Sequence, residues 1–242
     1  MGMVLSTMPI GDYDRRVVLL TKEYGKISVF AKGARRPNSA LLACSQPFSF
    51  GYFTLIQGRS SYNMVCAEIS NYFTDLRDDL DAVALGMYFC EFTDYYGREN
   101  MEAVGMLKLL YQSLRALSKK SLSHQLIRYI FEQKIMAING EGPQVFSCVK
   151  CGQKADCDSY YLFQTREGGI VCENCKRISP GGFYIQPATL YTMQYIMSSS
   201  IEKLYTFKVS EQVLDELAKI NAQYMEQHID KKFRSLQMFE VM

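Results

Sequence analysis

The sequence predicts an α+β chain of more than one domain: a small five-stranded β-barrel first, then an all-α domain that carries a cysteine module as an insert. Three observations predict it. Short runs of period two fill the first ~70 residues. Helical periodicity takes over near Asp78. A C-x2-C…C-x2-C pattern lies between two helical stretches. With 242 residues and 48% hydrophobic content the chain can bury real cores, and 21% charged residues is ordinary for a globular protein.

The strand candidates are Val4–Met8, Arg15–Lys22, Lys26–Lys32, Phe48–Gln57 and Tyr62–Ile69. Glu23-Tyr24-Gly25 reads as a tight hairpin turn between the second and third, and Gly58-Arg59-Ser60-Ser61 as one between the fourth and fifth. Lys26–Lys32 alternates cleanly: Ile27, Val29 and Ala31 point one way, and Lys26, Ser28, Phe30 and Lys32 the other. Five strands in about 70 residues suit the OB-fold, a barrel of that size that binds oligonucleotides.

Helices are expected at Asp78–Tyr96, Met101–Leu117, Ser123–Ile138, Pro187–Met197 and Ser210–Gln227. The first is apolar almost all round, through Leu80, Val83, Ala84, Met87, Tyr88, Phe92 and Tyr95, and should be largely buried. Asn139-Gly140-Glu141-Gly142-Pro143 stops the third. Pro187 suits the first turn of a helix. The expected organisation is therefore 1–75 barrel, 76–143 helical, 144–180 cysteine insert and 181–242 helical again. There is no internal repeat and no low-complexity segment.

The insert is the most specific motif by spacing. Cys148-Val149-Lys150-Cys151-Gly152 and Cys172-Glu173-Asn174-Cys175 each let one turn offer two thiolates to the same tetrahedral ion. Gly152 supplies the positive φ such a turn often needs. Four thiolates fill the shell of one Zn²⁺ and leave no position for water, so the site should be structural. Disulfides or unrelated buried thiols are the alternative, and they suit an oxidising compartment. Cys157 reads as a spare thiol inside the insert. Cys44, Cys66 and Cys90 sit singly among apolar neighbours and read as core residues.

Charge is uneven. Residues 1–60 carry eight basic groups against three acids, a net of +5, whereas the whole chain is only +2. Seven of the eight, Arg15, Arg16, Lys22, Lys26, Lys32, Arg35 and Arg36, fall within 22 residues. That pattern points to a polyanion at the N-terminal end and protein partners for the remainder. The bland reading is a merely basic surface. Phe30 shares a strand face with Lys26, Ser28 and Lys32, and two readings are open for it: it stacks on a base, or it packs beneath a loop. Tyr13 and Tyr24 on the flanking turns are weaker stacking candidates.

Enzyme classes find little support. G-x-S-x-G, P-loop, G-x-G-x-x-G and H-E-x-x-H motifs are absent. His124 opens a helix and His228 ends one, so both read as surface or cap residues. Asp75, Asp78, Asp79 and Asp81 crowd a helix N-terminus, where the macrodipole favours them. The N-terminus lacks a charged start followed by a long apolar run, so no signal peptide is expected. Apolar stretches such as Ala82–Cys90 fall far short of the ~20 residues of a membrane span. The expectation is a soluble, cytoplasmic protein.

Ile10-Gly11-Asp12-Tyr13-Asp14-Arg15-Arg16, Glu23 through Ser39 and Gln46-Pro47-Phe48 resemble the N-terminal domain of the RecO family of bacterial recombination and repair mediators. The four-cysteine module within a helical region and the ending Lys231-Lys232-Phe233-Arg234-Ser235-Leu236 are similar too. The resemblance implies a non-enzymatic DNA-binding mediator of the RecF pathway. Such a protein binds single- and double-stranded DNA and anneals complementary strands. It works with RecR and helps load RecA onto strands coated by single-stranded DNA-binding protein (SSB), in the cytoplasm and associated with the nucleoid. Carried over by position, Arg15, Arg16, Lys32, Arg35 and Arg36 become phosphate-binding candidates, with Lys22, Lys26 and Phe30 behind them. Cys148, Cys151, Cys172 and Cys175 become ligands of one zinc ion that supports the fold. The rival readings are a barrel and zinc ribbon serving RNA or a transcription complex, and a metallo-hydrolase, which an all-cysteine donor set disfavours.

Overall fold

The computed structural model describes residues 1–59, 61–156 and 158–241. Ser60 of the expected Gly58–Ser61 turn and the spare thiol Cys157 therefore lie outside the described residues. The chain forms two compact units. One contains residues 1–120 and the segment from Phe233 onward; the other runs from Ser121 to Lys232.

In the first unit β1 (Gly2–Ile10), β2 (Asp14–Thr21), β3 (Gly25–Ala31), β4 (Phe50–Gln57) and β5 (Tyr62–Asn71) close a barrel in the order β1-β2-β3-β5-β4. Antiparallel pairing joins β1 to β2, β2 to β3, β4 to β5 and β1 to β4, while β3 meets β5 in parallel. This is the OB-like closed barrel anticipated from strand number and spacing. Its interior holds Val4, Val17, Leu19, Ile27, Val29, Ala31 and Met64, with Leu41 and Cys44 of a short helix α1 (Leu41–Cys44) at its edge. The inward set on β3 is the alternation of Ile27, Val29 and Ala31, because period two leaves no other way to bury it.

Two details depart from expectation. Cys44 and Cys90 are buried, but Cys66 is exposed. Between Thr54 opposite Cys66 and Leu55 opposite Met64, β5 carries one extra residue, Val65. That bulge resets the alternation and turns both Val65 and Cys66 to solvent. The fourth strand also begins at Phe50 rather than Phe48, which sits at φ +72 in a turn.

Helix α2 (Leu80–Tyr96) starts at Asp79, whose carboxylate accepts from the Ala82 N–H, and it is buried along most of its length, although Leu80 at its start is 69% exposed. Helix α3 (Val104–Lys119) places Tyr111 against Phe50 and Phe73, with ring centres 4.5 and 5.4 Å away. The C-terminal segment closes this unit. Phe233 enters the aromatic group of Tyr88, Phe92 and Tyr95, 4.6 Å from the Phe92 ring centre.

The second unit contains α4 (His124–Ile138), α5 (Pro187–Ser198) and α6 (Glu211–His228), with a small sheet of β6 (Tyr161–Gln164), β7 (Gly169–Val171) and β8 (Phe183–Ile185) in the insert. The last helix, α7 (Arg234–Val241), belongs to the first unit. Buried Glu132 of α4 accepts from Arg128 Nε at 2.8 Å and from Asn221 Nδ2 of α6 at 2.8 Å. Lys134 Nζ donates to the last carbonyls of α5, those of Ile196 and Met197, and to Ser199 just beyond. No helix among the described residues is long and apolar enough to cross a membrane.

Candidate nucleic-acid interface and cysteine cluster

The basic residues gather where β3 leaves the barrel beside the β1–β2 turn. Gly33 has φ +66, and its N–H donates to Asp14 Oδ1 at 2.7 Å. Ala34 is buried beneath the loop, and the Arg35 N–H donates to the Tyr13 carbonyl at 2.8 Å. These contacts leave Lys32, Arg35 and Arg36 exposed on one loop. The guanidinium groups are themselves positioned: Arg35 NH1 donates to the Gly11 carbonyl at 3.1 Å, and the Arg36 guanidinium lies 5.3 Å from the centre of the Tyr13 ring.

Arg15 and Arg16 join from β2. Arg15 is half-buried, and its NH1 donates to Leu42 O at 2.9 Å and Ser45 Oγ at 2.7 Å, so it also ties α1 to the barrel. Burial, and then the nearby Arg35 charge, lower its pKa from the ordinary value, which still leaves a guanidinium charged at neutral pH. Arg16 is exposed, and its Nε donates to Ser28 Oγ at 2.8 Å.

Phe30 faces outward and is half-buried between Arg16 of β2 and Asn63 of β5, its register partners. The same cross-strand row extends to Met8 on one side and Ile56 on the other, 54% and 61% exposed. Sequence reasoning missed Met8 and Ile56. The available signal was an apolar residue on the outward phase of a strand.

Two candidates stand apart from this group. Lys22 is at the opposite end of β2, past Thr21, seven residues or ~23 Å from Arg15 along the strand. Lys26 is engaged with α2: its Nζ donates to the Asp94 carbonyl at 2.7 Å and lies 3.2 Å from Asp94 Oδ1. Neighbouring Gly25 has φ +64, and a Cβ there would stand 2.1 Å from Arg98 O and 2.5 Å from Met101 O. The close approach of the post-α2 segment to β3 thus requires glycine.

In the second unit one thiol sulfur each from Cys148, Cys151, Cys172 and Cys175 lie within 4.8 Å of one another. Gly152, at φ +74, closes the first turn by donating its N–H to the Cys148 carbonyl at 2.9 Å. The second turn is closed by the Cys175 N–H on the Cys172 carbonyl, and the Cys172 N–H points at Cys148 Sγ, 3.4 Å away. Burial opposes ionisation of Cys148, yet N–H donors from Cys172, Cys151 and Lys150 overcome it and bring its pKa down to about 6. Burial and the adjoining sulfurs hold Cys175 up at about 12. A set of four close thiols can ionise together only when a cation balances them, so the donor set fits a tetrahedral metal. Cys148, Cys172 and Cys175 are buried residues, while Cys151 reaches the surface.

Comparison with known proteins covers nearly the whole chain. The family described as Recombination protein O N terminal matches residues 1–73, and Recombination protein O C terminal matches residues 77–237. The chain is 32% identical over 241 residues to DNA repair protein RecO of Acetivibrio thermocellus, covering 100% of this chain and 95% of that protein. It is 33% identical over 238 residues to DNA repair protein RecO of Alkaliphilus metalliredigens, covering 98% and 96%. The protein of the same name from Bacillus subtilis is 27% identical over 241 residues, covering 100% and 93%.

Proposed function

Since this chain belongs to the RecO family, we propose that it is a recombination mediator that binds DNA through the basic end of its barrel, anneals complementary strands and acts without breaking bonds. The observation that carries the reading is the gathering of Arg15, Arg16, Lys32, Arg35 and Arg36 at one end of an OB-like barrel. Arg35 and Arg36 are exposed and held by carbonyl and ring contacts, so their remaining N–H groups are oriented before a phosphate arrives. Phe30, beside Arg16, offers a face for base contact.

Annealing follows from charge. Cations on the barrel neutralise phosphates of one strand, and a second strand then approaches with less repulsion and in a favoured orientation. With about five phosphates contacted, the logarithm of single-strand affinity should fall against the logarithm of salt with a slope of roughly −3.5. Single- and double-stranded DNA both suit this mode, because it reads backbone rather than bases.

The partners we propose are RecR, SSB and, through them, RecA, in the cytoplasm at the nucleoid. The four cysteines would hold one Zn²⁺, which supplies cross-linking of the insert and no open position for chemistry. The test is annealing of complementary oligonucleotides, bare and SSB-coated, followed by RecA loading with RecR present. Acceleration of both annealing reactions is expected. No acceleration of either would refute the mediator reading, and a strong preference for RNA over DNA of equal length would move it toward an RNA-binding module.

A further inference from the structure

We propose that the nucleic-acid track does not end on the barrel but continues into a groove between β2–β3 and the end of α2, where Arg98 supplies a further phosphate contact. The inference rests on the DNA-binding reading above and extends that site. The groove has a volume of about 400 Å³, and Arg16, Ser28, Lys26, Asp94, Arg98 and Glu99 all line it. Arg16 is the shared member: it stands opposite Phe30 in the cross-strand row and also opens the groove. A strand laid over Phe30 and Arg16 therefore meets the groove next, with Lys26 only four residues, or ~13 Å, further along β3.

The charges along it are unequal in availability. Asp94 is occupied by Lys26, at 3.2 Å from Nζ, so the two largely cancel. Arg98 is exposed, and NH1 donates to the carbonyls of Tyr95 at 2.8 Å and Gly97 at 3.1 Å. Those bonds anchor one nitrogen and leave the rest of the fork toward solvent, the arrangement that suits a phosphate. Gly97 brings this helix end down onto the sheet, since an added Cβ would stand 2.9 Å from Lys26 Cβ. Glu99 is the one exposed acid in the lining and opposes a polyanion there.

The test is a salt titration of a labelled oligothymidylate by anisotropy, comparing Arg98→Ala, Arg98→Lys and Glu99→Gln with the double variant Arg35→Ala/Arg36→Ala. Loss of one phosphate contact should make the Arg98→Ala slope shallower by about 0.7. Arg98→Lys should keep the parent slope, and Glu99→Gln should bind more tightly. If the Arg98→Ala slope equals the parent slope while the double variant's is shallower, the groove is excluded and the barrel reading stands. A weaker Arg98→Ala with unchanged slope reports a structural role and also overturns the inference. If neither Arg98→Ala nor the double variant changes, both readings fall.

Discussion

Arg36 lies over the ring of Tyr13, its guanidinium carbon 5.3 Å from the ring centre, and this contact links the loop after β3 to the turn before β2. Two segments more than 20 residues apart in sequence thus present one basic surface. Tyr13 itself is 51% exposed, so its ring does little for the core. Its contribution is to hold a cation in place.

Tyr13→Ala should therefore weaken DNA binding without unfolding the barrel. An exposed cation–π contact contributes about 0.5–1 kcal/mol, which corresponds to roughly two- to five-fold in affinity. Tyr13→Phe keeps the ring and should bind like the parent. Anisotropy titrations alongside thermal melts would check both; a lowered melting temperature with unchanged affinity would contradict the assignment.

Gly25→Ala should damage the first unit itself. The left-handed backbone, at φ +64, and the 2.1 Å approach to Arg98 O leave no room for a methyl group. A loss of stability of at least about 2 kcal/mol is expected from strain and displaced backbone together. Urea unfolding of the full chain would measure it, and a parent-like midpoint would show that the segment after α2 can move aside at little cost.

The clustered thiols predict a separable effect. Cys172→Ser should abolish stoichiometric zinc, measured by elemental analysis of purified protein, and should expose the insert to limited proteolysis. DNA affinity should change less than two-fold, because the barrel lies in the other compact unit. A protein that retains its zinc after this substitution would contradict the four-thiolate site.

Phe233→Ala tests the C-terminal closure. Phe233 is 4% exposed, and Glu91 anchors the residues after it, accepting from the Ser235 N–H at 3.1 Å and its hydroxyl at 2.9 Å. Removing a buried aromatic side chain costs about 3–5 kcal/mol. Hydrogen exchange should show faster exchange in α2 among Tyr88–Tyr96, and unchanged protection there would contradict the packing.

These elements also show what a reader of the sequence can find. Period two on Lys26–Lys32 and the two C-x2-C pairs are local patterns, and the alternating strand and the cluster of four thiols they point to are both present. The candidates Lys22 and Lys26 look like the other basic residues in one dimension. Their separation from the arginines follows from strand direction for Lys22 and from Asp94, 68 residues away, for Lys26. The exposure of Cys66 depends on a one-residue bulge that no composition signal marks. The return of Phe233 to α2 is a contact across 141 residues, from Phe92, and leaves no trace in either segment's own periodicity. Arg98 follows a helix end in sequence and joins the barrel's groove only because Gly25 and Gly97 permit the close approach.

The central claim is that one barrel end grips DNA backbone by charge, and the salt dependence of single-strand affinity tests it most directly. Dissociation constants for a labelled oligothymidylate, measured across a range of salt concentration, should give a log–log slope of roughly −3.5 for the parent protein and roughly −2 for Arg35→Ala/Arg36→Ala. A slope near zero, or one that the double substitution leaves unchanged, would contradict the account.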